Sequence, residues 1–154
     1  MRFVFLLLAL ALLPLSGRAQ CQATFEKYGA GCNSVSSVEV VLSGAFDQGT
    51  CGVSLTLGGF PGCCNTYLTS RVFVLGASQV KLPLPGIGPD CVLLASPDVL
   101  LVLPSSAGDT LSFQIPRGLP ALTIYAQGIN IYFTTISRSN DAELSQGLAI
   151  GLSG

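Results

Sequence analysis

The apolar residues of this chain fall into short runs separated by clusters of Pro, Gly, Asp and Ser. The runs CVLLA at 91–95 and VLLVL at 99–103 have the length of strands and are too short for stable helices. INIYFTTI at 129–136 alternates apolar and polar side chains, as a half-buried strand does. The intervening residues are typical of turns, because Pro presets φ, Gly allows positive φ and Asp bonds its own backbone.

The pattern predicts an all-β fold without helices, an antiparallel sandwich of the jelly-roll or Ig-like type with nine or ten strands. The predicted strands are 37–42, 53–57, 67–75, 80–84, 91–95, 99–103, 111–115, 122–126, 129–136 and 147–152. We expect 67–75 to be interrupted near Ser70 and Arg71, and 80–84 to be an edge strand because Pro83 lacks an N–H. Residues 43–50 and 137–143 are predicted to be loops.

The N-terminus predicts a signal peptide at 1–19, followed by a single domain at 20–154. Arg2 precedes an apolar segment at 4–15 that is short for a membrane span, and Ala19 ends a short cleavage sequence. The alternatives are an uncleaved anchor, or a lipoprotein attached at Cys21, for which Arg18 fits the processing motif poorly. Cleavage after Ala19 leaves 135 residues, enough to bury a core, with no membrane span. We therefore expect a secreted protein.

The remaining chain carries five Lys and Arg against eight Asp and Glu, a net charge of −3. The cations are scattered along the sequence. This distribution predicts neither a nucleic-acid site nor a polybasic membrane tether.

The chain contains no His, which removes the usual general base and the commonest metal ligand. A carboxylate pair for glycoside hydrolysis could still come from Asp90, Asp98, Asp109 or Glu143. The simpler interpretation is that these residues build turns and keep the surface soluble. The sequence lacks CxxC and DxDxD spacing, so neither zinc nor calcium is predicted. We expect no catalytic residues, no metal, no cofactor and no enzymatic activity.

Six cysteines in an exported chain predict three disulfides, although six allow many pairings. The cysteines are Cys21, Cys32, Cys51, Cys63, Cys64 and Cys91. A bond between the neighbours Cys63 and Cys64 is one alternative, and it requires a strained peptide.

A glycan-binding face usually presents exposed aromatic side chains, Trp among them, and the chain has no Trp. Phe73, Phe113 and Tyr125 lie within apolar strand patterns that predict burial. Tyr67 and Tyr132 are the candidates for exposed contacts.

The central region resembles a secreted β-domain family that is common in Planctomycetes and similar bacteria. The resemblance lies in LPLPGIGPDCVLLASPDV, FQIPRGLPAL and TIYAQG between residues 82 and 127, and in the Tyr-Gly-x-Gly-Cys pattern at 28–32. A weaker likeness, SNDAEL, follows at 139–144. The matching central positions are Leu82, Pro83, Gly88, Cys91, Leu93, Ser96, Asp98, Ile115, Pro116, Tyr125, Ala126 and Gln127.

The resemblance implies a secreted β-domain without catalytic residues. It also implies a disulfide between Cys32 and Cys91, because both cysteines match the family pattern. Of the other four, Cys51 would then pair with Cys63 or Cys64, and Cys21 with the remaining one.

Charged residues make up only 10% of the chain, whereas a typical globular domain has about 25%. Sparse charge and exposed apolar surface favour association between molecules, including strand addition at an open sheet edge. The first hypothesis is therefore a structural or assembly protein of the cell surface or extracellular matrix, with itself as partner. The second is a binding or adhesion module for a surface glycan or protein.

Overall fold

The structure, a computed structural model, describes residues 21–32, 39–59, 65–135 and 139–154. The described residues form ten strands and one 3₁₀ turn, Ser105–Ala107. The strands are β1 (Gln22–Tyr28), β2 (Leu42–Asp47), β3 (Gly52–Leu57), β4 (Thr66–Gly76), β5 (Gln79–Pro83), β6 (Val92–Ala95), β7 (Val99–Pro104), β8 (Thr110–Gln114), β9 (Leu122–Thr134) and β10 (Ser139–Ser153). None of the described segments is a helix long and apolar enough to cross a membrane.

The strands form three antiparallel sheets, and the middle one is five-stranded with the order β1-β10-β9-β4-β7. A three-stranded sheet, β2-β3-β8, packs on one face, and the β5–β6 ribbon packs on the other. Because successive side chains of a strand point to opposite faces, Val72 and Val74 of β4 face the ribbon. Phe73, between them, faces the three-stranded sheet. The predicted all-β antiparallel sandwich is confirmed.

The main core lies between the five- and three-stranded sheets, where the alternating apolar positions of both meet. Leu42, Val53, Leu55 and Leu57 supply it from the three-stranded sheet. Phe73, Ala126, Leu148 and Ile150 supply it from the five-stranded sheet. All eight side chains are buried almost completely, so burial of apolar surface between the two sheets is the main force holding them together.

Two disulfides connect the layers. Cys32 bonds Cys91 with a Cα–Cα distance of 5.2 Å, as the resemblance implied, and joins the segment after β1 to the start of β6. Cys21 bonds Cys51, joining the start of β1 to the β2–β3 turn. The expectation that Cys21 and Cys51 pair with Cys63 and Cys64 was therefore wrong, because β1 brings Cys21 against the three-stranded sheet. Cys63 and Cys64 lie outside the described residues.

Several predicted boundaries differ from the structure. Part of the predicted loop 43–50 is β2, and β1 was not predicted. The predicted strands 122–126 and 129–136 are joined in β9, and the predicted loop 137–143 includes the start of β10. The interruption expected near Ser70 is a register shift of β4 against β9 between Leu68 and Ser70.

Candidate functional site

The carboxylates considered for catalysis lie on different elements. Asp98 is exposed in the β6–β7 turn, where it accepts hydrogen bonds from Ala77 N (2.7 Å) and Ser96 Oγ (2.9 Å). These bonds stabilise the carboxylate, Ala77 contributing most, and lower the pKa of Asp98. Asp90 and Asp109 are also exposed in loops, whereas Glu143 is buried within β10. The turn-building role expected of Asp98 is what its contacts show.

Of the two tyrosines predicted to be exposed, Tyr67 is 60% exposed near the start of β4. Tyr132 is buried at 1% exposure, so the prediction for it was wrong. The side chain of Tyr132 faces the three-stranded-sheet side, and its hydroxyl donates to the carbonyl of Gly59 at 3.3 Å. Sequence reasoning missed this burial because the covering segment lies 73 residues away.

A row of polar residues crosses the five-stranded sheet beside Tyr132. The strand register places Arg71 opposite Asn130 and Asn130 opposite Glu143, so all three share one face. Arg71 donates to the carbonyl of Gly108 at 2.8 Å. Burial, followed by the neighbouring Glu143, raises the pKa of Tyr132 above its ordinary value. This row is closed to solvent at Asn130, Tyr132 and Glu143, so it is suited to fixing strand register rather than to contacting a substrate.

A second polar cluster compensates for a bulge in β10, where the register against β9 shifts between Leu144 and Gly147. Ser145 Oγ accepts from Gly128 N at 2.9 Å, and Gln146 Nε2 donates to Leu42 O at 2.8 Å. A bulge leaves ladder groups without strand partners, and here side chains satisfy them. This cluster therefore explains buried polar residues without assigning them a ligand.

The apolar surface that remains uncovered concentrates on β7, the last strand of the five-stranded sheet. Val99, Leu100 and Val102 are 47%, 57% and 62% exposed. Among the described strands only β4 pairs with β7, so its outer side carries unpaired backbone groups. We call Val99–Pro104 and this outer side the β7 edge.

An apolar hollow of about 460 Å³ adjoins the β7 edge. It forms because β4 ends at Gly76 while β9 continues from Tyr125 back to Leu122, leaving a gap in the sheet beside Val99. Leu75, Val99, Leu122 and Ile124 supply its aliphatic walls. The hollow extends the apolar surface of the β7 edge around the end of the sheet.

The other outer strands of the five- and three-stranded sheets differ from β7 in chemistry. β1 carries Glu26 and Lys27, and β2 ends with Asp47. The exposed positions of β8 are Thr110, Ser112 and Gln114. Charged and polar side chains protect edge strands from pairing with other chains, and β7 contains no charged residue.

Comparison of the chain with protein-family models, curated proteins and solved structures found no match. The likeness to the planctomycete domain therefore stays a prediction. Within the part of the chain that the structure describes, no group of three or more Cys, Asp and Glu residues is arranged to hold a metal ion. The β7 edge is the surface on which we base a proposed function.

Proposed function

We propose that this chain is a secreted, non-enzymatic structural protein whose copies associate through the β7 edge. The exposure of three large aliphatic side chains on one uncharged edge strand is the observation that carries the proposal. The two disulfides indicate an oxidising environment, and the N-terminal sequence supports export.

Pairing of two β7 strands would satisfy both the backbone groups and the exposed apolar side chains of the β7 edge. A second β7 would provide partners for the backbone N–H and C=O groups on the outer side, as in strand addition. It would also remove Leu100 and Val102 from water, which is favourable by about 25 cal/mol per Å² of apolar surface. The same strand in another molecule is complementary because neither copy introduces a charge.

The geometry favours an antiparallel arrangement around a two-fold axis perpendicular to the sheet. This symmetry reverses the strand direction and keeps the same face of both sheets on one side. In this arrangement, side chains that point to the same face are opposite each other. If Leu101 lies on the two-fold axis and pairs with its own copy, Leu100 of one copy contacts Val102 of the second. The alternating pattern of β7 therefore matches itself in this register.

The interface is expected to be weak if β7 acts alone. Six residues span roughly 20 Å, and interfaces burying less than about 1,000 Å² in total belong to transient complexes. We expect a dissociation constant weaker than about 1 μM, with stronger association if the apolar hollow also receives a side chain.

Sedimentation velocity of oxidised residues 20–154, from micromolar to submillimolar concentration, tests the proposal. The sedimentation coefficient should rise with concentration. Val102→Lys should abolish the rise, because a lysine on an edge strand opposes pairing. Thr110→Lys, which adds the same charge to the exposed edge strand β8, is the matched control and should leave association unchanged. A monomer at every concentration, or equal effects of the two substitutions, would contradict the proposal.

A further inference from the structure

The outer face of the three-stranded sheet carries small hydroxyl side chains in register. Ser54 of β3 and Ser112 of β8 are opposite each other, with their hydroxyl oxygens 3.0 Å apart. One step along the strands, Thr56 and Thr110 repeat the arrangement at 3.1 Å. The hydroxyls therefore form a ladder on the side of the sheet that faces away from the core.

A groove runs over part of this face. The first section, about 440 Å³, has Gly52 and Ser54 on its floor, where the small side chains of β3 leave space between β2 and β8. A second section of about 460 Å³ shares Thr50 and Gln114 with the first and reaches Arg117. The two sections adjoin at Thr50 and Gln114, and we call them together the β3 groove.

The polar groups of the β3 groove are held in place. Asp47 Oδ1 accepts from Gly49 N at 2.9 Å, and Asp47 Oδ2 accepts from Thr50 Oγ1 at 2.7 Å. The Thr50 backbone is a further donor to this carboxylate, and the two carboxylate oxygens together can accept about four hydrogen bonds. The Cys21–Cys51 disulfide fixes the adjoining turn to β1. An ordered acceptor binds a ligand with less loss of side-chain freedom than a mobile one.

The lining matches one class of ligand. Ser54, Ser112 and the Gln114 amide offer neutral donors and acceptors, and Asp47 offers an acceptor, whereas Ala45 offers apolar contact. A neutral sugar presents hydroxyl groups around an apolar C–H surface, so both kinds of contact are used. A polyanion would meet the Asp47 carboxylate, and a lipid chain would cover the Asp47 carboxylate and the Gln114 amide with apolar surface, which is unfavourable. We propose that the β3 groove binds a neutral, linear oligosaccharide that extends from Ser54 toward Arg117.

This site is separate from the β7 edge. No residue lining the two sections of the groove belongs to β7, and β7 is in the other sheet of the sandwich. Glycan binding and self-association can therefore be present or absent independently.

Isothermal titration of oxidised residues 20–154 with cellohexaose, chitohexaose, xylohexaose and maltohexaose tests the proposal. We expect millimolar or tighter binding of at least one of these neutral probes. Ser54→Tyr, which fills the floor of the groove, should weaken it by at least about tenfold, and Gln114→Ala should weaken it more modestly.

Thr56→Val combined with Thr110→Val is the matched control, because it removes the hydroxyl pair next along the same strands, outside the groove. Binding should survive this change, and circular dichroism should show that each variant keeps its fold. No heat with any of the four probes would overturn the proposal. So would binding that persists in Ser54→Tyr, or binding lost in Tyr67→Ala, which would place the glycan on the exposed tyrosine instead.

Discussion

The amide of Gln127 is one of the contacts by which the five-stranded sheet holds the β5–β6 ribbon. The side chain has 0% exposure in the middle of β9. Gln127 Oε1 accepts from Leu94 N at 2.8 Å, while Nε2 donates to Val92 O at 3.2 Å and to Ser145 O at 2.9 Å. One amide thus satisfies backbone groups of β6 and of the β10 bulge.

Gln127→Leu keeps nearly the same volume and removes all three hydrogen bonds. It leaves a buried N–H and two carbonyls without their partner, and each such group costs roughly 1–3 kcal/mol. Since carbonyls tolerate the loss better than the N–H does, we expect the free energy of unfolding to fall by about 3–6 kcal/mol. Urea unfolding of the oxidised protein, followed by far-UV circular dichroism, measures this change. The chain has no Trp to serve as a fluorescence probe.

Gln79→Leu is the control, because it makes the same substitution at an exposed position of β5. Its effect should stay within about 0.5 kcal/mol, as for most surface substitutions. A loss below about 1 kcal/mol for Gln127→Leu would refute the reasoning. It would mean that the ribbon is held by its apolar contacts alone and that the freed backbone groups find other partners.

Two further predictions concern the disulfides and the tyrosines. Replacing Cys32 and Cys91 by Ser should lower the free energy of unfolding by about 4.3 kcal/mol, and replacing Cys21 and Cys51 should lower it by about 3.7 kcal/mol, because the sequence separations are 59 and 30. Urea unfolding measures both losses, and a larger loss for the Cys21–Cys51 pair would contradict this loop-entropy argument. Burial, and secondly the nearby Tyr125, raise the pKa of Tyr28 to about 12. Because tyrosine in the unfolded chain loses its proton near pH 10, the free energy of unfolding should fall as the pH rises from about 10 to about 12. Ultraviolet titration of the native protein should show that Tyr28 ionises at a higher pH than a free tyrosine does. If all four tyrosines ionised together near pH 10 without unfolding, the raised pKa of Tyr28 would be excluded.

The sequence predicted most strands because turn residues separate most of the apolar runs, and it failed where packing overrides local preference. The predicted strands 122–126 and 129–136 left Gly128 between them, yet Gly128 lies within β9, where the side chain of Leu57 occupies the space above it. Gly44 and Ala45 are weak strand formers, but β2 forms there because Phe25 of β1 packs on Gly44. Such contacts join positions far apart in sequence, so no local pattern reveals them.

The site residues were less predictable than the strands because polarity along a strand does not reveal which layer will cover it. Asp141 and Glu143 made 137–143 look like a loop, but β10 includes both and pairs them with Tyr132 and Asn130 of β9. The hydroxyl face was also missed, since Ser54 and Thr56 are ordinary outward positions of an alternating strand. Their significance arises only when β8 brings Ser112 and Thr110 beside them.

The exposure of the β7 edge was equally hard to predict from the sequence, because an apolar run does not show whether its strand lies at the edge or in the middle of a sheet. The segments 99–103 and 122–126 are both short apolar runs, and each would be predicted to be a core strand. In the sheet, however, β9 has neighbours on both sides, whereas β7 has only β4. Ala126 is consequently 0% exposed and Val102 is 62% exposed. Exposed aliphatic side chains on an uncharged edge are unfavourable in water, and a second molecule paired along β7 would remove that cost without altering the rest of the fold.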